Sequence, residues 1–170
     1  MPDSISCRAA YLASACSFAL TVAAGMPVAV AQTVINNQTV TVPPGTIPAG
    51  TNLTVGSTGT GVLNIVAGGV VTTGDTTIGS LAGSDGTISV SGAGASFSHI
   101  NTMRIGDLGT GRFLISNGAT VSSEGVHLGD GGGSGTATVS GVGSSWNFNN
   151  SLYIGYDNNS TATVNVLNGA

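Results

Sequence analysis

Along the chain from Leu53, a short alternating triplet closed by glycine appears five times: Leu53-Thr-Val-Gly56, Thr76-Thr-Ile-Gly79, Met103-Arg-Ile-Gly106, Val126-His-Leu-Gly129 and Leu152-Tyr-Ile-Gly155. The glycines Gly56, Gly79, Gly106, Gly129 and Gly155 are spaced 23, 27, 23 and 26 residues apart. Short and long units therefore alternate, with a second-order period of 50, 50 and 49 residues. Within each unit a second alternation follows a glycine-rich loop: Leu63-Asn-Ile65, Ile88-Ser-Val90, Phe113-Leu-Ile115, Ala137-Thr-Val139 and Val164-Asn-Val166. Period-two alternation buries one face of a strand and wets the other. A third extended stretch closes each unit, at Val70–Thr73, Ala95–Ser98, Thr120–Ser123 and Ser144–Phe148, and the difference in unit length is assigned to it.

Three strands in a unit of about 25 residues are one coil of a parallel β-helix, since a fixed period of this size signals a solenoid or a propeller. The expected fold is all-β: a right-handed parallel β-helix of about five three-stranded coils, starting near residues 53, 76, 103, 126 and 152, the last incomplete. When coils stack about 4.8 Å apart, Val55, Ile78, Ile105, Leu128 and Ile154 form one inward column. Each member, fully buried, contributes roughly 1.5–3 kcal/mol. The intervening residues Thr54, Thr77, Arg104, His127 and Tyr153 then point outward. Each closing glycine is expected at a corner, where φ is positive or a neighbouring backbone passes close. A β-propeller competes through the 50-residue period, but three and a half blades do not close.

The segment between residues 32 and 52 alternates at Thr39-Val-Thr-Val42 and then carries Pro43, Pro44 and Pro48. Prolines exclude a central strand with a full set of ladder donors, so an edge strand plus turns is expected, covering the first end of the array. Residues 1–31 differ again. Arg8 precedes an apolar run from Ala9 to about Ala24, which ends in Ala29-Val-Ala31 before Gln32. These are the features of a secretory signal peptide cleaved between Ala31 and Gln32. A membrane anchor and a lipoprotein acylated at Cys16 are competing readings, the first weakened by Gly25-Met-Pro27 and nearly uncharged flanks, the second by a short apolar stretch.

Composition sharpens this picture. The chain has 28 glycines among 170 residues and only 6% charged side chains, yet its wealth of Val, Ile and Thr disfavours a disordered segment. Both cysteines, Cys7 and Cys16, fall in the leader, so the mature chain relies on burial and backbone pairing rather than disulfides. Beyond the leader, Arg104 and Arg112 stand against Asp75, Asp85, Asp107, Glu124, Asp130 and Asp157, a net of 2 − 6 = −4. Nucleic acid is therefore not an expected partner.

Candidate chemistry is sparse. His99 and His127 are the mature histidines and read as exposed polar positions, His99 in a loop after Ser98 and His127 beside Arg104 one coil away. Asp107 and Asp130 follow corner glycines and stack on adjacent coils, a weak candidate for Ca²⁺, against which stands the suitability of Asp in turns. The Gly131-Gly-Gly-Ser-Gly135 run lacks both the calcium nonapeptide period and the lysine of a phosphate loop. Phe97 and Trp146 are expected to fill the wider long coils, although an aromatic ladder able to stack on sugar rings is the competing reading. No catalytic group and no cofactor is expected.

Taken together, the Ile-Gly, Gly-Thr-Gly, Thr-Val-Ser-Gly and Gly-Ser-Ser-Trp motifs, seen in Leu128-Gly129, Gly135-Thr-Ala-Thr-Val-Ser-Gly141 and Gly143-Ser-Ser-Trp146, resemble the repeats of bacterial autotransporter passenger domains. The resemblance covers roughly residues 53–170. It implies a right-handed parallel β-helix exported by type V secretion and displayed at the Gram-negative outer membrane or released outside the cell. It also implies an outer-membrane β-barrel translocator in the full-length protein, a segment absent from this sequence. The array stops at Leu167-Asn-Gly-Ala170 inside a coil, so a fragment or truncated passenger is expected. The expected role is structural and adhesive, with surface components of host or neighbouring cells, or further copies of the chain, as partners. The alternative is a fragment of a β-helical polysaccharide-acting enzyme.

Overall fold

In the computed structural model residues 32–48 and 52–170 are described, and every regular element among them is a β-strand. The expected leader, with the expected cleavage residue Ala31, lies outside the described residues. The strands are β1 (Gln32–Ile35), β2 (Gln38–Val42), β3 (Gly45–Pro48), β4 (Asn52–Val55), β5 (Thr60–Ile65), β6 (Gly69–Thr73), β7 (Asp75–Ile78) and β8 (Asp85–Ser91). There follow β9 (Ser96–Ile105), β10 (Thr110–Ser116), β11 (Thr120–Leu128), β12 (Ser134–Ser140), β13 (Ser145–Phe148), β14 (Leu152–Ile154) and β15 (Thr161–Leu167).

All pairings are parallel, and each strand pairs with the strand one coil before or after it, giving a β-solenoid of about five turns. One wall is β1, β4, β7, the second halves of β9 and β11, and β14; a second wall is β2, β5, β8, β10, β12 and β15. The third is β3, β6, the first halves of β9 and β11, and β13. In the middle coils the third strand thus runs on into the first strand of the next coil, its pairing interrupted only by a bulge where the two meet. The long strands β9 and β11 hold the first and third walls in one sheet.

The pattern of burial follows from the alternation. Val55, Ile78, Ile105 and Leu128 lie at matching register positions and are wholly inaccessible. Leu63, Ile88, Phe113 and Ala137 form the equivalent column of the second wall. Phe97 is fully buried in the third wall, pairing with Val71 and Val121, and its ring meets Phe113 edge-on at 5.8 Å. Trp146 continues that column half-buried, packs against Phe113 at 5.2 Å and donates its indole N–H to Ser123 Oγ at 2.7 Å. Both aromatic rings therefore fill the core rather than form an external ladder. Leu114 faces outward between Ser89 and Thr138, half-exposed as its position requires.

Two expectations about the chain path change. The segment from Gln32 forms more than an edge strand: β1, β2 and β3 pair residue by residue with β4, β5 and β6, as in Ile35 with Val55 and Val42 with Ile65. The prolines permit this because Pro43 and Pro44 occupy the turn between β2 and β3, and Pro48 closes β3, so the interior of β2 keeps its donors. The extra length of the long coils also does not sit in the third strand, which stays in register throughout. It is taken up at the corners. The first corner runs from Gly56 to Gly61 in a short coil but from Gly79 to Gly86 in a long one, the second runs from Ile65 to Val71 but from Val90 to Phe97, and the third bulges at Ile100 and Asn101 opposite Glu124. Ile100 is consequently thrown out to 63% exposure.

Gly106 shows why the corner residue is glycine. Its φ is +70°, and a Cβ placed on it would lie 2.1 Å from the Ser134 carbonyl oxygen of the following coil. Both expected causes act together. A second glycine column, Gly61, Gly86, Gly111 and Gly135, faces the first from the start of the second wall, where Cβ atoms would meet the backbone of the coil before. At the last two strands, β14 and β15, the register continues, but Ile154 and Val166 are more than half exposed, with no described residue stacked over them.

Candidate functional site

The first wall's outward column is set by strand alternation and by parallel register, which stacks Thr54, Thr77, Arg104, His127 and Tyr153 at intervals of one coil. The column starts with small hydroxyls and then changes to planar and charged groups over three successive coils. Beside it, the corner after each glycine stacks Asp107 against Asp130, whose backbone amides continue the ladder onto the Gly79 and Gly106 carbonyls.

Asp130 organises the cluster. Arg104 donates its Nε–H to Asp130 Oδ2 at 3.1 Å, and His127 places Nδ1 3.2 Å from the same oxygen. A carboxylate only accepts, so the imidazole carries its proton on Nδ1 in this contact. The other oxygen, Oδ1, accepts the Gly131 amide at 3.0 Å, and Asp157 Oδ2 accepts that same N–H at 3.2 Å. Asp130 is 8% exposed, so these contacts compensate a carboxylate largely removed from water. The neighbouring Asp107 carboxyl is held above the usual aspartate value by burial first and by the Asp130 charge second, with Arg104 opposing.

Around His127 the aromatic rings gather. Tyr153 lies one coil away at 5.0 Å between ring centroids, and Tyr156, carried by the corner after Gly155, approaches to 4.6 Å. The two tyrosines meet each other edge-on at 5.2 Å. They are 45% and 54% exposed.

The two carboxylates Asp107 and Asp130 do stack, but Asp130 is engaged by Arg104 and His127, and among the described residues no three His, Cys, Asp or Glu side chains converge on a common point. His127 stands beside Arg104 as expected, yet is held by Asp130 rather than simply hydrated. His99 departs from expectation altogether. It belongs to β9, is only 2% exposed, and neither ring nitrogen has a hydrogen-bond partner. Its position pairs with Ser123 in the third wall, so the inward phase set by Phe97 carries it into the core. Burial holds its pKa down at about 4, against weaker upward pulls from Glu124, the Asn101 backbone and Asp75.

No family model, curated protein or solved structure matches the chain.

A second charged pair, Arg112 with Asp85, bridges adjacent coils on the second wall, where both side chains are well exposed. Elsewhere the outward columns carry ladders of hydroxyl and amide groups, such as Ser116 with Ser91 and Asn165 with Thr138. What alternation alone does not reveal is the meeting of Tyr156 with His127. Tyr156 lies in a corner whose length varies from coil to coil, so its position follows from the path of the turn rather than from strand phase.

Proposed function

We propose that the chain is an exported β-solenoid of the autotransporter passenger type, with a structural and adhesive role at the bacterial surface. The observation that carries this reading is the use made of its polar side chains: they pair along the stack, from one coil to the next. Arg104 with Asp130, Arg112 with Asp85, Asn149 with Glu124 and Asn117 with Ser91 each tie neighbouring coils together. Such pairing makes a rod with long, regular faces suited to contact with another surface. The repeat motifs, the leader-like residues 1–31 and the cysteine-free remainder support export.

Expression of the full chain in a Gram-negative host tests the proposal. N-terminal sequencing is expected to give Gln32, protease added to intact cells to remove the protein when it is joined to an outer-membrane β-barrel translocator, and the purified mature protein to bind cells saturably. An uncleaved chain retained in the cytoplasm would overturn it. So would turnover of a polysaccharide that is lost in Asp107→Ala and Asp130→Ala variants, which would make the chain an enzyme.

A further inference from the structure

We infer that the patch formed by Arg104, His127, Tyr153 and Tyr156, braced by Asp130, is a binding site for a neutral polysaccharide lying along the solenoid axis. This inference rests on the adhesive reading above and names the ligand class of its contact surface.

Three observations carry it. The first is that outward rings are nevertheless fixed. Tyr153 faces outward by strand phase, in register with His127 and Arg104, and with Tyr156 at the following corner it packs against His127 and against its fellow tyrosine. His127 is held in turn by Asp130, and Asp130 by Arg104 and the Gly131 amide. Aromatic side chains so constrained lose little further entropy on binding and offer apolar faces with polar edges. Sugar rings have the complementary surface, flat C–H faces rimmed by hydroxyls.

The second observation is spacing. Arg104, His127 and Tyr153 advance by one coil each, and His127 and Tyr153 have centroids 5.0 Å apart. An extended sugar chain advances by a comparable distance per ring, so successive units meet successive side chains. The column continues as Thr77 and Thr54, whose hydroxyls extend the same track. This surround of hydroxyls distinguishes the patch from a protein-binding hot spot, which sits in a well-packed, desolvated pocket.

The third is charge. Arg104 is the one arginine or lysine of the patch, and it faces Asp130, with Asp107 adjacent and Asp157 across Gly131. A polyanion meets net repulsion there, whereas a neutral chain meets acceptors on the carboxylates and the remaining guanidinium donors of a side chain 40% exposed.

The test is titration of the purified exported protein with cello-oligosaccharides, chito-oligosaccharides and heparin, followed by calorimetry and by tyrosine NMR signals. A neutral oligosaccharide is expected to bind, with heparin weaker. Tyr153→Ala with Tyr156→Ala is expected to weaken binding by about tenfold or more, while the Phe pair at these positions and Thr58→Ala retain it. Circular dichroism melts establish that the variants are folded. Heparin binding more tightly, unchanged affinity in the folded double-Ala variant, or no binding of either neutral series would overturn the inference. Cell adhesion that persists in the double-Ala variant would overturn this site alone and leave the adhesive reading standing.

Discussion

At Gly106 a single missing carbon atom decides whether two coils approach. The left-handed backbone and the Ser134 carbonyl 2.1 Å from the Cβ position act at the same residue. Gly83 also has positive φ, at +82°, but a Cβ there meets nothing within 4 Å. The comparison separates strain from collision. Gly83→Ala is expected to cost about 1 kcal/mol and Gly106→Ala about 3 kcal/mol or more, measured by denaturant unfolding; equal costs would show that the close approach is unimportant. His99 gives the second residue-scale expectation. Its folded pKa, about 4, lies below the unfolded value of 6.5, so the unfolded chain takes up the proton first. The stability associated with the neutral ring is complete above pH 6.5 and is lost as pH falls from there through about 4. The full difference is about 3 kcal/mol. His99→Leu is expected to flatten the fall in melting temperature between pH 7 and pH 4, and an unchanged pH profile would mean that other groups cause it.

At the scale of the strand, one residue's phase decides everything about its neighbours. Ile105 is wholly buried between Ile78 and Leu128, whereas Thr77, in the adjacent wall position one coil earlier, is half-exposed. Ile105→Asp places an unpaired carboxylate in an apolar stack and is expected to prevent folding of the central coils. Thr77→Asp is expected to change stability by less than about 0.5 kcal/mol, with β-type circular dichroism intact. Similar losses of dichroism in the two variants would contradict the register. Alternation made this contrast legible in advance, as it did the inward phase of Phe97 and the outward phase of Arg104. It failed at His99, where a polar residue after Ser98 looked like the start of a loop. The strand in fact continues through a bulge at Ile100, and pairing with the next coil, which no local pattern encodes, keeps the histidine inside.

For the whole molecule, the repeat period was sufficient to give the solenoid because every coil faces the same physical problem: a few apolar residues per wall must be covered by another coil. The first coil was harder to see. Asn36 stands where later coils have the corner glycine, and its Oδ1 instead accepts the Ser57, Thr58 and Gly59 amides, so the glycine signature is missing although the turn is made. The candidate site was legible only in part, as an outward column of Arg104, His127 and Tyr153. The contribution of Tyr156 depends on the length of a corner, and corner length is where the coils differ most. That variation has a further meaning. Because residues added between Gly79 and Gly86 or at Ile100 leave all three walls in register, the fold separates a frame that tolerates almost no alteration from margins that can be rewritten. New sequence can enter at these corners without moving a core atom, so coils of one architecture can acquire different surfaces independently of one another.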